Sequence, residues 1–180
     1  MAVQAQATIE DLYRIEGKAE LVNGQIVCDS PTGGLPGYAS VEILVSLRAH
    51  AKKAGRGHAI GDNIGFIVDL PNRRSFCPDA AFYRGELTMK FLDGAPTLAV
   101  EVRSENDYGP VAEHKMAQKR ADYFSAGTLV VWNVDLQSDD VVRSHSSDHP
   151  ENPIIYHRDE IASAELAVPN WTMPVNDLFP

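Results

Sequence analysis

The chain has 180 residues, of which 44% are hydrophobic and 23% are charged, proportions that are ordinary for a globular protein. This composition excludes a wholly disordered, collagen-like or coiled-coil chain, and the length suits one domain over residues 1–180. The two cysteines, Cys28 and Cys77, are too few for a disulfide framework or a cysteine zinc site. Sixteen basic against twenty-five acidic residues give a net charge of −9. That balance argues against a broad basic surface for nucleic acid, although it allows a small basic cleft inside an acidic shell.

The N-terminal region has no basic segment followed by an apolar one, as a signal peptide would have. The chain also has no apolar run of about 20 residues that could span a membrane. We therefore expect a cytoplasmic protein without a membrane segment. Residues 1–12 are polar and rich in alanine, which predicts a flexible segment or a short helix capped by Thr8.

The first half of the chain alternates turn signals with apolar runs. Asn23-Gly24 lies between two such runs and predicts an N-terminal β-hairpin over 19–27, because both central residues of the turn must take positive φ. The spacing of apolar residues predicts a helix over about 38–53 that ends at Gly55. Strand-like stretches follow at 58–70, at 75–83 with an interruption at Pro78, and at 97–104.

The second half begins with a predicted helix over 110–125, in which Pro110 suits the first turn and Gly127 suits the C-terminal cap. Strands are expected at 129–134, 141–144, 154–156 and 165–168, and the polar stretch 144–153 is typical of a loop. Strands and helices mix without strict βαβ alternation. This order favours an α/β (α+β) fold with a mixed β-sheet flanked by helices.

Glu101 is an acid in the middle of the most apolar predicted strand. Strand alternation places Glu101 and Arg103 on one face, and Leu98 and Val100 on the other. A carboxylate in such a strand is costly unless it is paired or binds a metal. The alternative to a functional role is an ion pair with Arg103 or Arg120 on a solvated face.

Asp79 follows Pro78 inside the predicted strand 75–83. Proline cannot donate a hydrogen bond to a neighbouring strand, so this point is a sheet edge, a bulge or the start of a strand. Bulges often direct a side chain into a functional site. The alternative is a simple turn in which the carboxylate bonds the local backbone.

Lys119 borders the apolar face of the predicted helix 110–125, one turn before Tyr123. A lysine there can run its methylenes along the core and present its ammonium in a pocket, although it can also simply reach the solvent. Two carboxylates from neighbouring strands and a lysine suit a Mg²⁺ site, because Mg²⁺ binds few protein oxygens and keeps several waters. Such an ion lowers the pKa of a bound water and stabilises charge on a phosphoryl group.

Several short segments occur in the order that is found in a known family. They resemble the Uma2 family of restriction-endonuclease-like proteins, within the PD-(D/E)xK nuclease fold, over about residues 20–179. The segments that carry the resemblance are ELVNG at 20–24, PD at 78–79, APTLAVEVRS at 95–104, the stretch 119–127, and VWNVD at 131–135. The resemblance implies a restriction endonuclease-like core, with a mixed sheet flanked by helices.

The resemblance also implies an endonuclease that hydrolyses phosphodiester bonds in DNA with Mg²⁺ or Mn²⁺ and without an organic cofactor. Asp79 would be the aspartate of the PD motif and Glu101 the acid of the second half-motif, and these two would bind the metal. Lys119 matches the lysine of the motif, displaced to the following helix, where it would orient the attacking water. Glu20 matches a family glutamate that approaches the same site.

Arg103 stands two residues after Glu101, where the usual motif carries a lysine. Its guanidinium stays protonated and cannot act as a base, so we interpret it as a phosphate contact or as the partner of Glu101. Tyr123 matches a family tyrosine one turn beyond Lys119, and with Arg103 it is expected to bind substrate. The net charge and Arg103 also favour an alternative, a catalytically silent binding or assembly module whose carboxylates are held in salt bridges.

We expect a C2 homodimer, because two DNA strands need two sites and nuclease-like folds commonly work in pairs. The C-terminal segment is apolar for a tail, since it carries Trp171, Met173, Leu178 and Phe179. Such a segment either folds back on its own core or covers a partner.

Overall fold

The computed structural model describes residues 6–180. A short helix, α1 (Ile9–Leu12), lies within the predicted N-terminal segment 1–12, of which residues 1–5 fall outside the described part. Thr8 caps α1, as predicted. Its Oγ1 accepts the Asp11 backbone N–H at 3.2 Å, and the Asp11 carboxylate accepts the Thr8 N–H at 3.0 Å. This reciprocal pair satisfies two N–H groups that the first turn of a helix leaves without partners.

The predicted N-terminal hairpin is confirmed. Strand β1 (Ala19–Val22) pairs antiparallel with β2 (Gln25–Cys28). Asn23 and Gly24 join them with φ values of 50° and 70°, the left-handed conformations that a tight two-residue turn requires. Glu20 and Leu21 of β1 are buried, so the hairpin presents one strand to the body of the protein.

Two long helices follow the hairpin. Helix α2 (Gly34–Ala54) begins four residues before the predicted start, because Pro36 fits the first turn, where backbone N–H groups have no helical partner. Gly55 ends α2 with a φ of 67°, a value that glycine adopts without strain. Helix α3 (Pro110–Ser125) has the predicted bounds and is followed by Gly127 with a φ of 102°.

The described residues contain a six-stranded mixed sheet, which confirms the predicted fold class. The further strands are β3 (His58–Ile60), β4 (Phe66–Ile67), β5 (Ser75–Phe76), β6 (Ala80–Tyr83), β7 (Leu92–Asp93), β8 (Leu98–Val102), β9 (Val130–Val134), β10 (Val142–Ser146), β11 (His149–Tyr156), β12 (Ile161–Ser163) and β13 (Thr172–Pro174). The large sheet has the order β11-β10-β9-β8-β6-β3. Only β8 and β9 are parallel in it, and the other neighbours are antiparallel.

The two faces of this sheet are covered by different elements. Leu98, Val100 and Val102 of β8 belong to the core under α2, whereas Ala99 belongs to the core that contains Tyr123 of α3. This division follows from the alternation of side chains along a strand. It directs Glu101, which lies between Val100 and Val102 on β8, toward α3 and away from the larger core.

The C-terminal third departs from the sequence-based expectation in two places. Residues 165–168 form a turn instead of a strand, since the N–H groups of Ala167 and Val168 both bond the Ala164 carbonyl. The stretch 144–153, predicted as a loop, belongs mostly to β10 and β11, which pair around a bulge near His145. Its polar side chains give no apolar strand pattern. The backbone N–H and C=O groups of β10 are nevertheless hydrogen-bonded, because β10 pairs with β9 on one side and β11 on the other.

The apolar C-terminal segment folds back on the protein's own core. Trp171, Met173 and Leu178 are at most 2% exposed, and a 3-10 helix (Val175–Leu178) closes the chain. The Trp171 indole N–H donates to Ser46 Oγ of α2 at 3.0 Å. This segment therefore gives no support to the expected homodimer. Within residues 6–180, no helix has the length and apolar character needed to cross a membrane.

Candidate functional site

Asp79 lies in the short break between β5 and β6 that Pro78 introduces. Its backbone N–H donates to the Val100 carbonyl at 3.0 Å, and its Oδ2 accepts the Val102 N–H at 2.7 Å. These bonds extend the antiparallel pairing of β6 with β8 and fix the carboxylate beside Glu101. The structure thus shows a strand start at the proline break, one of the three arrangements that the sequence left open there.

Glu101 points from β8 toward α3, where two side chains meet it. Lys119 Nζ lies 2.8 Å from Oε2, and the Tyr123 hydroxyl donates to Oε1 at 2.7 Å. Tyr123 is fully buried and stacks on Phe76 with ring centroids 4.0 Å apart. The packed ring holds the hydroxyl in place, so Glu101 is oriented by the helix.

Glu20 reaches the same place from the hairpin. Its Oε1 accepts the Cys77 backbone N–H at 2.8 Å and lies 2.9 Å from Lys119 Nζ, while Arg73 pairs with Oε2. Lys119 thus bridges Glu20 and Glu101. The structure brings together the four residues expected to carry out the reaction: Asp79, Glu101, Lys119 and Glu20.

The two glutamates have opposite electrostatic environments. Burial raises the pKa of Glu20, but Lys119 and Arg73 outweigh burial and lower it to about 2. Burial, together with repulsion from Asp79 and Glu20, raises the pKa of Glu101 to about 7, although Lys119 acts in the opposite direction. At neutral pH, therefore, Glu20 is ionised and Glu101 is close to its titration midpoint.

Lys119 stays protonated in this setting. Burial disfavours its charge, but the attraction of Glu101 and Glu20 is stronger and raises its pKa. The lysine is therefore a fixed positive charge and a hydrogen-bond donor. It does not simply reach the solvent, which was the alternative left open by the sequence.

Lys18 is a second lysine of the site that sequence reasoning missed. Its Nζ pairs with Asp79 and lies 2.8 Å from Asp62 Oδ1. Burial lowers the pKa of Lys18, but Asp79 and Glu101 outweigh it and raise the pKa. A signal existed in the sequence, because Lys18 stands two residues before Glu20 and side chains two apart on an extended chain share a face.

Arg73 and Asp122 form a buried ion pair behind the site, and sequence reasoning missed this pair as well. Arg73 Nε donates to Asp122 Oδ2 at 2.9 Å. Asp122 Oδ1 also accepts from Asn72 at 2.9 Å and from Gln118 at 3.1 Å. Arg73 comes from a turn between strands and Asp122 from α3, so no local spacing in the sequence relates them.

Arg103 lies at the edge of the site, on the α3 face of the sheet. It is not the partner of Glu101, which was one of its two expected roles. Both Nη atoms of Arg103 pair with the Glu113 carboxylate, with 2.8 Å from Nη2 to Oε2, and its Nε lies 3.6 Å from Asp135 Oδ2. The guanidinium also packs over the Tyr108 ring at 5.4 Å. These contacts tie β8 to the start of α3.

The donor set of the site fits a hard divalent cation that keeps water ligands. Asp79 and Glu101 are neighbouring carboxylates, and burial first, then repulsion from Asp79, raises the pKa of Glu101, so a cation bound by both would relieve that repulsion. Within residues 6–180, no group of three or more Asp, Glu, His or Cys side chains is arranged to hold a metal. A cation held by two carboxylates alone would resemble Mg²⁺, which commonly binds one or two carboxylates and several waters.

Comparisons with known proteins place this chain among nuclease-like proteins. The Uma2 family model, described as “Putative restriction endonuclease”, matches residues 9–176. A crystal structure from Anabaena variabilis ATCC 29413, described as “a putative nuclease belonging to DUF820”, is similar with a TM-score of 0.75. The identity is 17%, and the match covers 96% of this chain and 97% of that chain. At this identity the likeness shows a shared fold. No curated protein matches the chain.

Proposed function

The chain belongs to the Uma2 family, and from that premise we propose that it is an endonuclease that uses a divalent cation to hydrolyse phosphodiester bonds in DNA. The site would be of the PD-(D/E)xK type, with the lysine displaced to α3. One observation carries the proposal. Asp79, Glu101 and Lys119 come from three separate elements and converge, with Lys119 Nζ only 2.8 Å from Glu101.

Asp79 and Glu101 would hold Mg²⁺ or Mn²⁺ through their carboxylate oxygens. Such a cation would supply a water of lowered pKa and would offset the charge that develops on the phosphate. The Val102 N–H bond to Asp79 Oδ2 leaves Oδ1 as the oxygen available to the cation. Lys18 pairs with this same Oδ1, so its ammonium would compete with the cation for Asp79.

Lys119 would orient the attacking water and stabilise negative charge on the phosphate. A base role does not suit it, because its raised pKa keeps the ammonium protonated. Glu20 would act as a positioning residue, since it is ionised at neutral pH and holds Lys119 at 2.9 Å. Burial of these groups strengthens their electrostatic effect on a phosphate that enters the site.

Tyr123 and Arg103 were both expected to contact substrate, and their surroundings support different roles. Tyr123 is fully buried, and its hydroxyl is bonded to Glu101, so we propose that it positions Glu101. Arg103 is held by Glu113 and Asp135, so we propose that it braces α3 against β8. A phosphate contact by Arg103 would have to compete with two carboxylates.

Metal binding and cleavage together test the proposal. Isothermal titration calorimetry with Mn²⁺ should detect binding to the wild type and much weaker binding to Asp79→Asn. Plasmid nicking in Mn²⁺ or Mg²⁺ should be lost in Asp79→Asn and Lys119→Met, and kept in Lys115→Met, since Lys115 is an exposed residue of the same helix. Nicking that survives in Asp79→Asn would refute the assignment.

The alternative function, a silent binding or assembly module, is favoured by one specific observation. Each site carboxylate already has a cationic partner: Lys18 for Asp79, Lys119 for Glu101, and Arg73 for Glu20. These ion pairs could serve stability alone. Absence of Mn²⁺ binding in calorimetry, together with a stable wild-type fold, would favour this module over the nuclease.

A nuclease with one site per chain needs two chains to cut both strands of a duplex. We therefore propose that it acts as a C2 homodimer. Light scattering across micromolar concentrations should then give twice the 19.7 kDa chain mass. A monomeric mass in the presence of DNA and Mn²⁺ would contradict this.

A further inference from the structure

A second cleft lies beside the proposed catalytic site. It has a volume of about 380 Å³ and is lined by side chains of β9, β10 and α3 and of the segment that follows β8. Its cationic and polar lining includes Arg103, Arg120, Asn133, Arg143 and His145. The lining also includes the carboxylates of Glu113 and Asp135, so its three arginines leave one net positive charge, in a chain with a net charge of −9.

The sheet register connects this cleft with Glu101. Glu101 of β8 lies opposite Asn133 of β9, and Asn133 lies opposite Arg143 of β10. Residues that are directly opposite on neighbouring strands project from the same face of the sheet. With about 4.8 Å between strands, the Arg143 backbone lies about 10 Å from that of Glu101. The cleft therefore extends from the proposed site across β9 to β10.

Arg120 is the least compensated cation of the cleft. Its Nη1 donates to the neutral Asn133 Oδ1 at 2.9 Å, and no ion pair among residues 6–180 includes it. Burial lowers the pKa of Arg120, and this effect exceeds the attraction of Glu151 and Glu113. A guanidinium carries five N–H donors, so Arg120 has donors to spare for an anion.

Arg143 adds a second available cation to the cleft, and His145 adds a polar ring. Arg143 Nη2 pairs with Asp140 at 3.1 Å, and its side chain is 31% exposed, so it too has free donors facing solvent. His145 is buried, and its Nδ1–H donates to the Pro150 carbonyl at 2.8 Å. Burial lowers the pKa of His145, and nearby Arg120 and Arg143 act in the same direction. Arg103 contributes less positive charge to the cleft, because it already pairs with Glu113 and Asp135.

We propose that this cleft binds a backbone phosphate of the nucleic-acid strand, one or two nucleotides from the bond that is cut, with Arg120 and Arg143 as the donors. The inference rests on the proposed function, since it takes Glu101 to mark the scissile phosphate. A strand carries one phosphate per nucleotide, so a strand seated at Glu101 brings others within reach of the cleft. The planar guanidinium forks match the geometry of phosphate oxygens.

The test measures binding without metal, so that it does not depend on cleavage. Fluorescence anisotropy of a labelled single-stranded DNA oligonucleotide, in EDTA, is recorded over a series of salt concentrations. The variants are Arg120→Gln, Arg143→Gln and the double variant. The matched control is Arg48→Gln, because Arg48 is an exposed arginine of α2, on the opposite face of the sheet. Melting curves check that each variant is folded.

Each cleft variant should bind about tenfold more weakly, as expected for one lost charge-assisted contact. The slope of log K against log salt should fall by about 0.7 per arginine, and by about 1.4 in the double variant. Arg120→Lys should restore the slope, because it keeps the charge, while Arg48→Gln should match the wild type.

Three results would overturn the proposal: no binding of the wild type at low salt, an unchanged slope in the double variant, or an equal loss in Arg48→Gln. The outcome is separate from that of the proposed nuclease. If DNA binding depends on Arg120 and Arg143 but the protein never cleaves DNA, the cleft is a phosphate-binding site and the proposed nuclease activity is refuted.

Discussion

Replacing Lys119 by methionine removes the one charge that two buried carboxylates share. Lys119 Nζ lies 2.9 Å from Glu20 and 2.8 Å from Glu101, and its side chain is 18% exposed. Methionine keeps most of the packing volume of the methylene chain. After the change, Glu20 retains Arg73 as a partner, while Glu101 retains only the Tyr123 hydroxyl.

The loss of stability in Lys119→Met can be estimated from these distances. At an effective dielectric constant of about 20, a unit charge pair at this separation is worth about 6 kcal/mol before desolvation. Withdrawing the lysine from water offsets several kcal/mol of that gain. Removing one partner of a buried ion pair therefore costs about 3–5 kcal/mol, since the other charge is left uncompensated. We expect Lys119→Met to lose this much stability at alkaline pH.

The cost should depend on pH because Glu101 can take up a proton. Burial first, and then Asp79 and Glu20, raise its pKa to about 7 in the folded protein. Lys119 opposes this shift, so its removal raises the pKa of Glu101 further. A carboxyl whose folded pKa is raised gives stability that is present below its unfolded pKa and is lost as pH rises through the folded value. Near pH 5.5 the folded mutant would hold Glu101 neutral, and the cost should fall to about 1–2 kcal/mol.

Urea unfolding of the wild type and Lys119→Met at about pH 5.5 and about pH 8.5 measures both values. Lys115→Met, an exposed substitution on the same helix, should change stability by less than about 0.5 kcal/mol at either pH. A cost for Lys119→Met below about 1 kcal/mol at alkaline pH, or one that is equal at both pH values, would refute the reasoning.

Three further changes probe single contacts of the site. Glu20 has a folded pKa of about 2, so its stabilisation is present above its unfolded pKa and is lost as pH falls toward 2; Glu20→Gln should flatten this acid decline in urea unfolding. Tyr123→Phe removes the 2.7 Å bond to Glu101 and should cost about 1.5–3 kcal/mol at alkaline pH in the same assay. Lys18→Met removes the ammonium that pairs with Asp79, so Mn²⁺ should raise its melting temperature more than it raises that of the wild type. An equal rise in both proteins would contradict the proposed competition.

Local patterns in the sequence were sufficient to predict much of the framework. Asn23-Gly24 predicted the hairpin because only one kind of turn suits that pair, and Pro110 predicted the first turn of α3 because its missing N–H is not needed there. Strand alternation around Glu101 correctly placed Leu98 and Val100 on the core face of the sheet and Glu101 on the opposite face. Each of these signals acts over a few residues, so no knowledge of the tertiary structure was required.

The residues of the site that were not predicted from the sequence depend on long-range contacts. The spacing of Lys18 from Glu20 is a local signal, but its partner Asp79 lies 61 positions away, and Arg73 reaches Asp122 across 49. The polar stretch 144–153 was taken for a loop because its side chains lack an apolar period, although most of it lies in β10 and β11, and the pairing of β10 with the strands on either side gives it its strand character. Arg143 owes its place near the site to that same pairing. Local propensity does not contain such information, because tertiary context decides it.

The charges of the site lead to a last prediction, about metal and DNA together. The buried or half-buried carboxylates at the centre are Glu20, Asp79, Glu101 and Asp122, and the cations that pair with them are Lys18, Lys119 and Arg73. When all of them are ionised, as metal binding by Glu101 requires, this group carries one net negative charge. A bound divalent cation would turn the balance to one positive charge, and a phosphodiester group would then neutralise it.

Metal and DNA should therefore bind cooperatively, since each removes a charge that disfavours the other. Thermodynamic reciprocity requires that if DNA tightens Mn²⁺ binding, then Mn²⁺ tightens DNA binding by the same factor. Calorimetric titration of Mn²⁺ with and without a short oligonucleotide measures the first coupling, and anisotropy with and without Mn²⁺ measures the second. In Asp79→Asn the group starts one charge less negative and lacks a metal ligand, so the coupling should be lost. If the wild type bound Mn²⁺ with the same affinity in both titrations, the phosphate would not lie near the metal, and the charge argument for this site would fail.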